Sequence, residues 1–233
     1  MSPAFTFVMN LTGVTIGTLS AELGRPATVQ DVRDLDRRTA GRIYRAKYWD
    51  RIRGDDLPAG FDLVAFDGAI NSGPARGAKW LQRGLAVPAD GRIGPQTLAA
   101  ANGAQNGVAV IEKACAVRLG FLQGLGSFRT FGKGWGRRVA KVEARAVSMW
   151  SGSRATLAAQ ERRATAARKQ QQTNATAAGA GGGAAAGGGD LAGVPDVVVY
   201  GILAVAVVAA VYALLKAAHH ARRRDAYRAE LEA

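Results

Sequence analysis

The chain has 233 residues and a mass of 24.3 kDa, enough for one ordinary domain with attached segments or for two small domains. Its net charge is +13, and a hydrophobic content of 48% excludes wholesale disorder. The single cysteine, Cys115, excludes an internal disulfide and a thiol-pair zinc site. The two histidines, His219 and His220, lie near the C-terminus, so acid-base chemistry elsewhere has to come from carboxylates.

The first 153 residues predict a series of helices. Asp36 is a good N-cap for a helix over roughly 37–50, in which Tyr48 and Trp49 are expected to be core residues. In the next segment, FDLVAFDGAINSG, Leu63, Phe66 and Ile70 form the apolar stripe of a short buried helix. The pair Asp67 and Asn71 lies beside that stripe, at the border between core and surface.

Further helices follow in chain order. Pro74 and Pro95 stand where an N1 proline would begin a helix. A stripe from Val108 to Leu122 includes Cys115 as a small core residue. A last helix over about 135–150 has four basic residues on its expected solvent face: Arg137, Arg138, Lys141 and Arg145. No stretch alternates convincingly with the period of a strand, so the predicted fold class is all-α.

Residues 154–193 change composition. The segment 154–178 contains neither Gly nor Pro and has no apolar stripe, which predicts a solvated helical stalk or a disordered tether, with helix propensity favouring the stalk. The segment 179–193 is almost only Gly and Ala, and we expect a flexible linker. Together they form a predicted Gly/Ala-rich tether over 154–193.

The segment Val197 to Leu215 is uncharged, and its length fits a single transmembrane helix, assigned to 194–218. The alternative, a buried core helix, needs partner surface that a Gly-rich tether does not supply. The tail 219–233 carries Arg222, Arg223 and Arg224, which favours a cytoplasmic C-terminus and a head on the opposite, periplasmic side of an inner membrane. No ordinary signal peptide precedes Arg25, which leaves the export route open.

Four blocks of the head resemble, in the same order, the glycoside hydrolase family 108 enzymes, which are holin-associated N-acetylmuramidases of bacteria and phages. The blocks are DVRDLDRRTAGRIYRAKYWD, FDLVAFDGAINSGPARGAKWLQRGL, DGRIGPQTLAA and FGKGWGRRVAKVEARA. The resemblance covers about residues 10–150. It implies a lysozyme-like helical domain over 1–78, a peptidoglycan-binding helical module over 79–153, and cleavage of the β-1,4 bond between N-acetylmuramic acid and N-acetylglucosamine.

The resemblance also implies interaction partners. It implies peptidoglycan as the substrate and a holin as an accompanying protein, while the predicted span implies the lipid bilayer. No cofactor and no metal are expected. Nucleic-acid binding is disfavoured, because the basic residues are scattered and no nucleic-acid-binding motif occurs.

One motif of the family is not found. Members carry an N-terminal helix ending in Glu-Gly-Gly-Tyr, and its glutamate is the general acid that the resemblance implies. Here only MSPAFTFVMNLT precedes the block GVTIGTLS, and it contains no Asp or Glu. We therefore expect a start placed too far downstream, a truncated pseudoenzyme, or a replacement acid elsewhere, and the catalytic residue is unknown.

Asp67 is the candidate replacement acid, because Leu63 and Phe66 beside it favour the neutral form that a general acid needs. The alternative is a structural helix acid, hydrogen-bonded at the edge of the core. Asn71 is either a sugar ligand or a helix C-terminal residue. Asp55 and Asp56 are expected in a solvent-facing loop. The candidate substrate-binding residues are Asp67, Asn71, Ser72, Trp80 and Gln82.

Two functions compete. The first is a membrane-anchored muramidase for lysis or wall remodelling. The second is an inactive wall-binding protein derived from such an enzyme, which would bind peptidoglycan without releasing reducing ends.

Overall fold

The computed structural model describes residues 14–187 and 196–233, and these ranges contain helices and no strand. The chain divides into two compact units, with the boundary between Gly152 and Ser153. The all-α prediction is confirmed. In the first unit the α-helices are α1 Ile16–Leu23, α2 Val29–Arg33, α3 Arg37–Tyr44, α4 Phe61–Ser72, α5 Pro74–Gly84, α6 Pro95–Asn102, α7 Gly107–Gln123 and α8 Phe128–Ser151.

The predicted helix over 37–50 begins as expected. Asp36 caps α3 by accepting a hydrogen bond from the backbone N–H of Thr39. The helix then widens into a π-helical turn over Arg45–Trp49 and tightens into the 3₁₀ turns Asp50–Ile52 and Gly54–Asp56. Trp49 is fully buried and meets Phe66 edge-on at 5.0 Å between ring centroids, so Trp49 is a core residue as predicted.

Helix α4 is the centre of the first unit. Every residue from Phe61 to Ala69 is buried, so α4 is a core helix that is enclosed on all sides. Phe61 stacks on Trp150 of α8 at 4.7 Å. The helix ends at Ser72, and Gly73 follows with φ of 88°, a left-handed conformation that suits glycine.

Helices α4 and α5 touch backbone to backbone. A Cβ at Gly77 would lie 2.4 Å from the carbonyl oxygen of Ala65, and a Cβ at Gly68 would lie 2.9 Å from the Cα of Gly77. This contact joins the two proposed domains, since the expected boundary between residues 78 and 79 falls inside α5. The assignment of a muramidase region to 1–78 and a peptidoglycan-binding module to 79–153 stays a prediction.

Helix α8 begins earlier than predicted. It starts at Phe128 rather than near Trp135, although Gly132, Gly134 and Gly136 lower its helix propensity. Aromatic contacts stabilise the first turns of α8: the ring centroids of Phe128 and Phe131 lie 6.2 Å and 5.7 Å from that of Trp135. Cys115 of α7 is buried, as predicted.

The second unit contains α9, Arg154–Gly187, which packs along α10, Asp196–Glu232. The helical alternative for 154–178 is therefore the observed one. The helix continues into the predicted linker as far as Gly187, because extending an existing helix is far easier than starting one. The rest of that linker, from residue 188 to 193, lies outside the described residues.

Helix α10 is long and apolar enough to cross a membrane, because an 18-residue stretch within Leu203–Glu232 has a mean hydropathy of 1.6. Only 11% of this apolar stretch is buried by the rest of the protein. Its exposed apolar side chains include Val205, Val207, Val208, Leu214 and Leu215. Near the C-terminal end of α10 the contact with α9 includes a polar pair, in which Arg228 Nη2 lies 3.3 Å from Glu161 Oε1.

Candidate functional site

A cleft of about 220 Å³ opens on the first unit where α4 ends. Four helices line it, together with the chain that joins α7 to α8. Its lining residues are Asn71, Ser72, Arg76, Arg118, Phe121, Leu122, Leu125, Trp135 and Arg138. Packing of α5, α7 and α8 around α4 thus brings together residues that are far apart in the sequence.

Asp67 lies beneath this cleft and is fully buried. Its Oδ1 accepts from Arg118 Nη1 at 2.5 Å and from Arg138 Nε at 3.2 Å. Its Oδ2 accepts from Arg138 Nη2 at 2.5 Å. One buried carboxylate thereby ties α4 to both α7 and α8, with the paired charges that such burial requires.

This geometry bears on the predicted replacement acid. A general acid has to carry a proton and donate it to the leaving oxygen. Both oxygens of Asp67 accept from guanidinium groups instead, and the side chain has no exposed surface. The structure therefore favours the structural alternative for Asp67.

Asn71 and Ser72 are the two predicted residues that line the cleft. Asn71 Nδ2 donates to the backbone carbonyl of Asp67 at 2.7 Å, which fixes the amide against the last turn of α4. Asn71 is therefore a helix C-terminal residue and still borders the cleft. Its role as a sugar ligand stays a prediction.

Trp80 and Gln82, the other two predicted substrate-binding residues outside the cleft lining, are both buried. Trp80 is buried, 5.7 Å from the ring of Phe121 and in contact with Gly68. Gln82 is buried as well, and its amide organises the DGRIGP loop: Nε2 donates to Asp90 Oδ1 at 2.7 Å and Oε1 accepts from the Gly91 N–H at 2.9 Å. Both side chains thus have partners inside the protein, and their role in substrate binding stays a prediction.

Two exposed aspartates, Asp55 and Asp90, have lowered pKa values. Trp49 Nε1 donates to Asp55 Oδ1 at 3.0 Å and, with Arg45, holds the pKa of Asp55 below its ordinary value. The Arg92 N–H and the Gln82 amide lower the pKa of Asp90 in the same way. Both shifts disfavour the protonated form that a general acid needs.

A second cavity of about 350 Å³ lies between α2 and α3, next to the first described residues. Its lining residues are Val14, Val32, Arg33, Leu35, Arg37, Ala40 and Tyr44. As in the first cleft, no Asp or Glu is part of its described lining. Within residues 14–187 and 196–233, no cluster of His, Cys, Asp and Glu could hold a metal ion.

The sequence did not indicate that Arg118 and Arg138 pair with Asp67. Arg138 was expected on the solvent face of the last helix, but its side chain is 26% exposed and reaches Asp67. Arg118 stands within the apolar stripe of α7, one position before Leu119 and buried like it. A charged residue so close to an apolar stripe is a sequence signal for a buried ion pair, although its partner is 51 positions away.

Comparison with known proteins gives two findings. The family model described as Glycosyl hydrolase 108 matches residues 10–73, a range that includes α4 with Asp67, Asn71 and Ser72. The solved structure of Brucella abortus SagA is 46% identical in sequence, with a TM-score of 0.54, and the match covers 59% of this chain and 78% of that one. The comparison with curated proteins gives no match.

Proposed function

The chain belongs to the glycosyl hydrolase 108 family, and from this premise we propose that it is a lysozyme-type N-acetylmuramidase of peptidoglycan, held at a membrane by α10. The observation that carries the proposal is the 46% identity to SagA together with the family match over residues 10–73. The net charge of +13 supports it, because bacterial cell walls are anionic.

A second candidate is an inactive protein that binds peptidoglycan. One observation favours it: no Asp or Glu is part of the described lining of either cavity, and Asp67 is bound by two arginines. Glycosidases generally need a protonated carboxyl beside the leaving oxygen. The catalytic residue of the first candidate therefore stays unassigned.

The membrane part of the proposal rests on α10. Its exposed valines and leucines have no protein partner among the described residues of the second unit, and the basic run from Arg222 to Arg224 follows. By the positive-inside rule, we propose a single-pass protein of the bacterial inner membrane with its C-terminus in the cytoplasm and its head in the periplasm. A holin partner is proposed from the resemblance alone.

The test uses the full chain in detergent micelles with isolated peptidoglycan sacculi. We measure sedimentation with the sacculi and release of reducing ends, which are reduced with borohydride and identified by mass spectrometry. A muramidase leaves N-acetylmuramic acid at the new reducing end, so muramitol is the expected product. A heat-denatured sample of the same chain is the control.

Each outcome decides between the candidates. Muramitol release supports the enzyme. Sedimentation without release supports the inactive binding protein and contradicts the enzyme. If the chain neither sediments nor cleaves, both candidates fall, and release of N-acetylglucosamine ends would contradict the proposed bond specificity.

A further inference from the structure

The cleft at the end of α4 has an excess of positive charge. Three arginines line it: Arg76, Arg118 and Arg138. No Asp or Glu is part of its described lining, and Asp67, which pairs with Arg118 and Arg138 from below, compensates a single charge. Two positive charges remain in a partly enclosed space, where electrostatic interactions are stronger than in bulk water.

One donor in this cleft is buried without a partner. The side chain of Arg118 is 4% exposed, and its Nη1 is used by Asp67. Its Nε is buried and donates to no acceptor. An unsatisfied buried donor is costly and needs an explanation, and a ligand bound in the adjoining cleft would supply the missing acceptor.

The arginines are oriented by aromatic rings. The Arg76 guanidinium lies 4.6 Å from the centroid of the Phe121 ring, and the Arg118 guanidinium lies 5.4 Å from that of Trp80. Such stacking leaves the edge of a guanidinium group free to donate hydrogen bonds. Arg76 is exposed, so its donors are accessible from the mouth of the cleft.

The size and walls of the cleft limit the ligand. A volume of about 220 Å³ accommodates a side group and not a disaccharide. The walls include Phe121, Leu122 and Trp135, so the ligand has an apolar part next to its charge. Guanidinium groups bind carboxylates through paired hydrogen bonds.

We propose that this cleft is a carboxylate subsite for peptidoglycan, in which Arg118 and Arg76 bind an acidic side group of the glycan and thereby position the chain. The proposal rests on the proposed function for its substrate class. Two sources share this chemistry: the lactyl carboxylate of N-acetylmuramic acid in a bare glycan, and the free carboxylates of an attached stem peptide.

The experiment measures binding of the full chain in detergent micelles by calorimetry. The probes are a tetrasaccharide of alternating N-acetylglucosamine and N-acetylmuramic acid with free lactyl carboxylates, the same tetrasaccharide with the carboxylates converted to methylamides, and the tetrasaccharide bearing stem peptides. The variants are Arg76→Gln and Arg118→Lys. The second variant keeps a positive charge beside Asp67 but removes the Nε donor. Arg83→Gln, an exposed arginine on the same helix α5, is the matched control.

We expect Arg76→Gln and Arg118→Lys each to weaken binding of the anionic probe by about tenfold, as loss of a charge-assisted hydrogen bond does. Binding of the methylamide should not change, and Arg83→Gln should bind like the wild type. Tighter binding of the bare glycan than of the peptide-bearing one identifies the lactyl carboxylate as the source, and the reverse identifies the stem peptide.

Two results would overturn the proposal. If wild type and both variants bind the anionic and methylamide probes equally, the carboxylate subsite does not exist, while muramitol release from sacculi would leave the proposed function intact. If no glycan binds and sacculi are neither bound nor cleaved, the proposed function fails together with the subsite. Circular dichroism shows whether Arg118→Lys is folded, and Arg76→Gln tests the subsite independently because Arg76 is exposed.

Discussion

Asp67 occupies the place where α4, α7 and α8 meet, and each of its oxygens accepts a charged hydrogen bond of 2.5 Å. Taking ions out of water is costly, and only good pairing offsets that cost. Arg118, itself buried, depends on the same carboxylate. Asp67 therefore stabilises the contact between α4, α7 and α8.

We expect Asp67→Asn to reduce the free energy of unfolding by about 3–5 kcal/mol, because it leaves the Arg118 guanidinium buried without a counter-ion. Urea denaturation of the full chain followed by tryptophan fluorescence measures the loss. Asp56→Asn is the control, since Asp56 pairs with Arg53 at an exposed site and such pairs contribute at most about 1 kcal/mol. Unchanged stability with complete loss of muramitol release would instead indicate a catalytic carboxyl.

At the scale of elements, the position of α5 on α4 depends on two glycines. The backbones approach so closely at Gly68 and Gly77 that neither position has room for a Cβ without displacement of the other helix. This approach places Arg76, the residue before Gly77, at the mouth of the cleft. A change in helix spacing would therefore alter both the core and the proposed subsite.

We expect Gly77→Ala to lower the stability by about 3 kcal/mol, because the new methyl group meets the Ala65 carbonyl oxygen and a backbone atom cannot rotate away. Gly120→Ala in α7 is the matched control. A Cβ there meets nothing within 4 Å, so the higher helix propensity of alanine should raise the stability by about 1 kcal/mol. Thermal unfolding by circular dichroism compares the two, and equal stabilisation by both would contradict the close contact.

At the scale of the whole molecule, α10 differs from the helices of the first unit. Core helices such as α4 are covered by their neighbours, whereas Val208 of α10 is 69% exposed. Exposed valines and leucines along one helix form an apolar surface that water disfavours. The lipid bilayer of the proposed function would surround this surface with apolar groups.

We expect Val208→Lys to reduce insertion into membranes, since a lysine near the centre of a span costs about 3 kcal/mol. Val208→Leu keeps the apolar surface and serves as the control. The measurement is the fraction of full-length protein that stays with membranes after alkaline carbonate extraction. Removal of the wild type by carbonate would contradict the transmembrane prediction.

Local sequence signals predicted much of the fold. Asp36 as an N-cap, Pro74 and Pro95 at helix starts and Asn71 near a helix end all depend on hydrogen bonds and torsion angles within a few residues. The early start of α8 was missed, because its glycines argue locally against a helix that aromatic contacts stabilise. Propensity is a weak guide where tertiary packing contributes more.

The candidate site was predictable only in part. Asn71 and Ser72 border the cleft because they end α4, which the sequence pattern indicated. Trp80 and Gln82 are predicted to bind the substrate, and the structure shows that both side chains are buried against internal partners. Burial depends on neighbours that are distant in the sequence, which residue type does not report.

The sequence by itself determined the helical class, the helix ends set by local capping, the apolar span in α10 and the resemblance to family 108. These features are encoded by spacing and composition over short stretches of chain. The tertiary structure decided the environment of Asp67, the burial of Arg118 and the excess positive charge of the cleft. The physical reason is that burial and charge pairing depend on residues 51 and 71 positions from Asp67, which meet it only when α7 and α8 pack on α4.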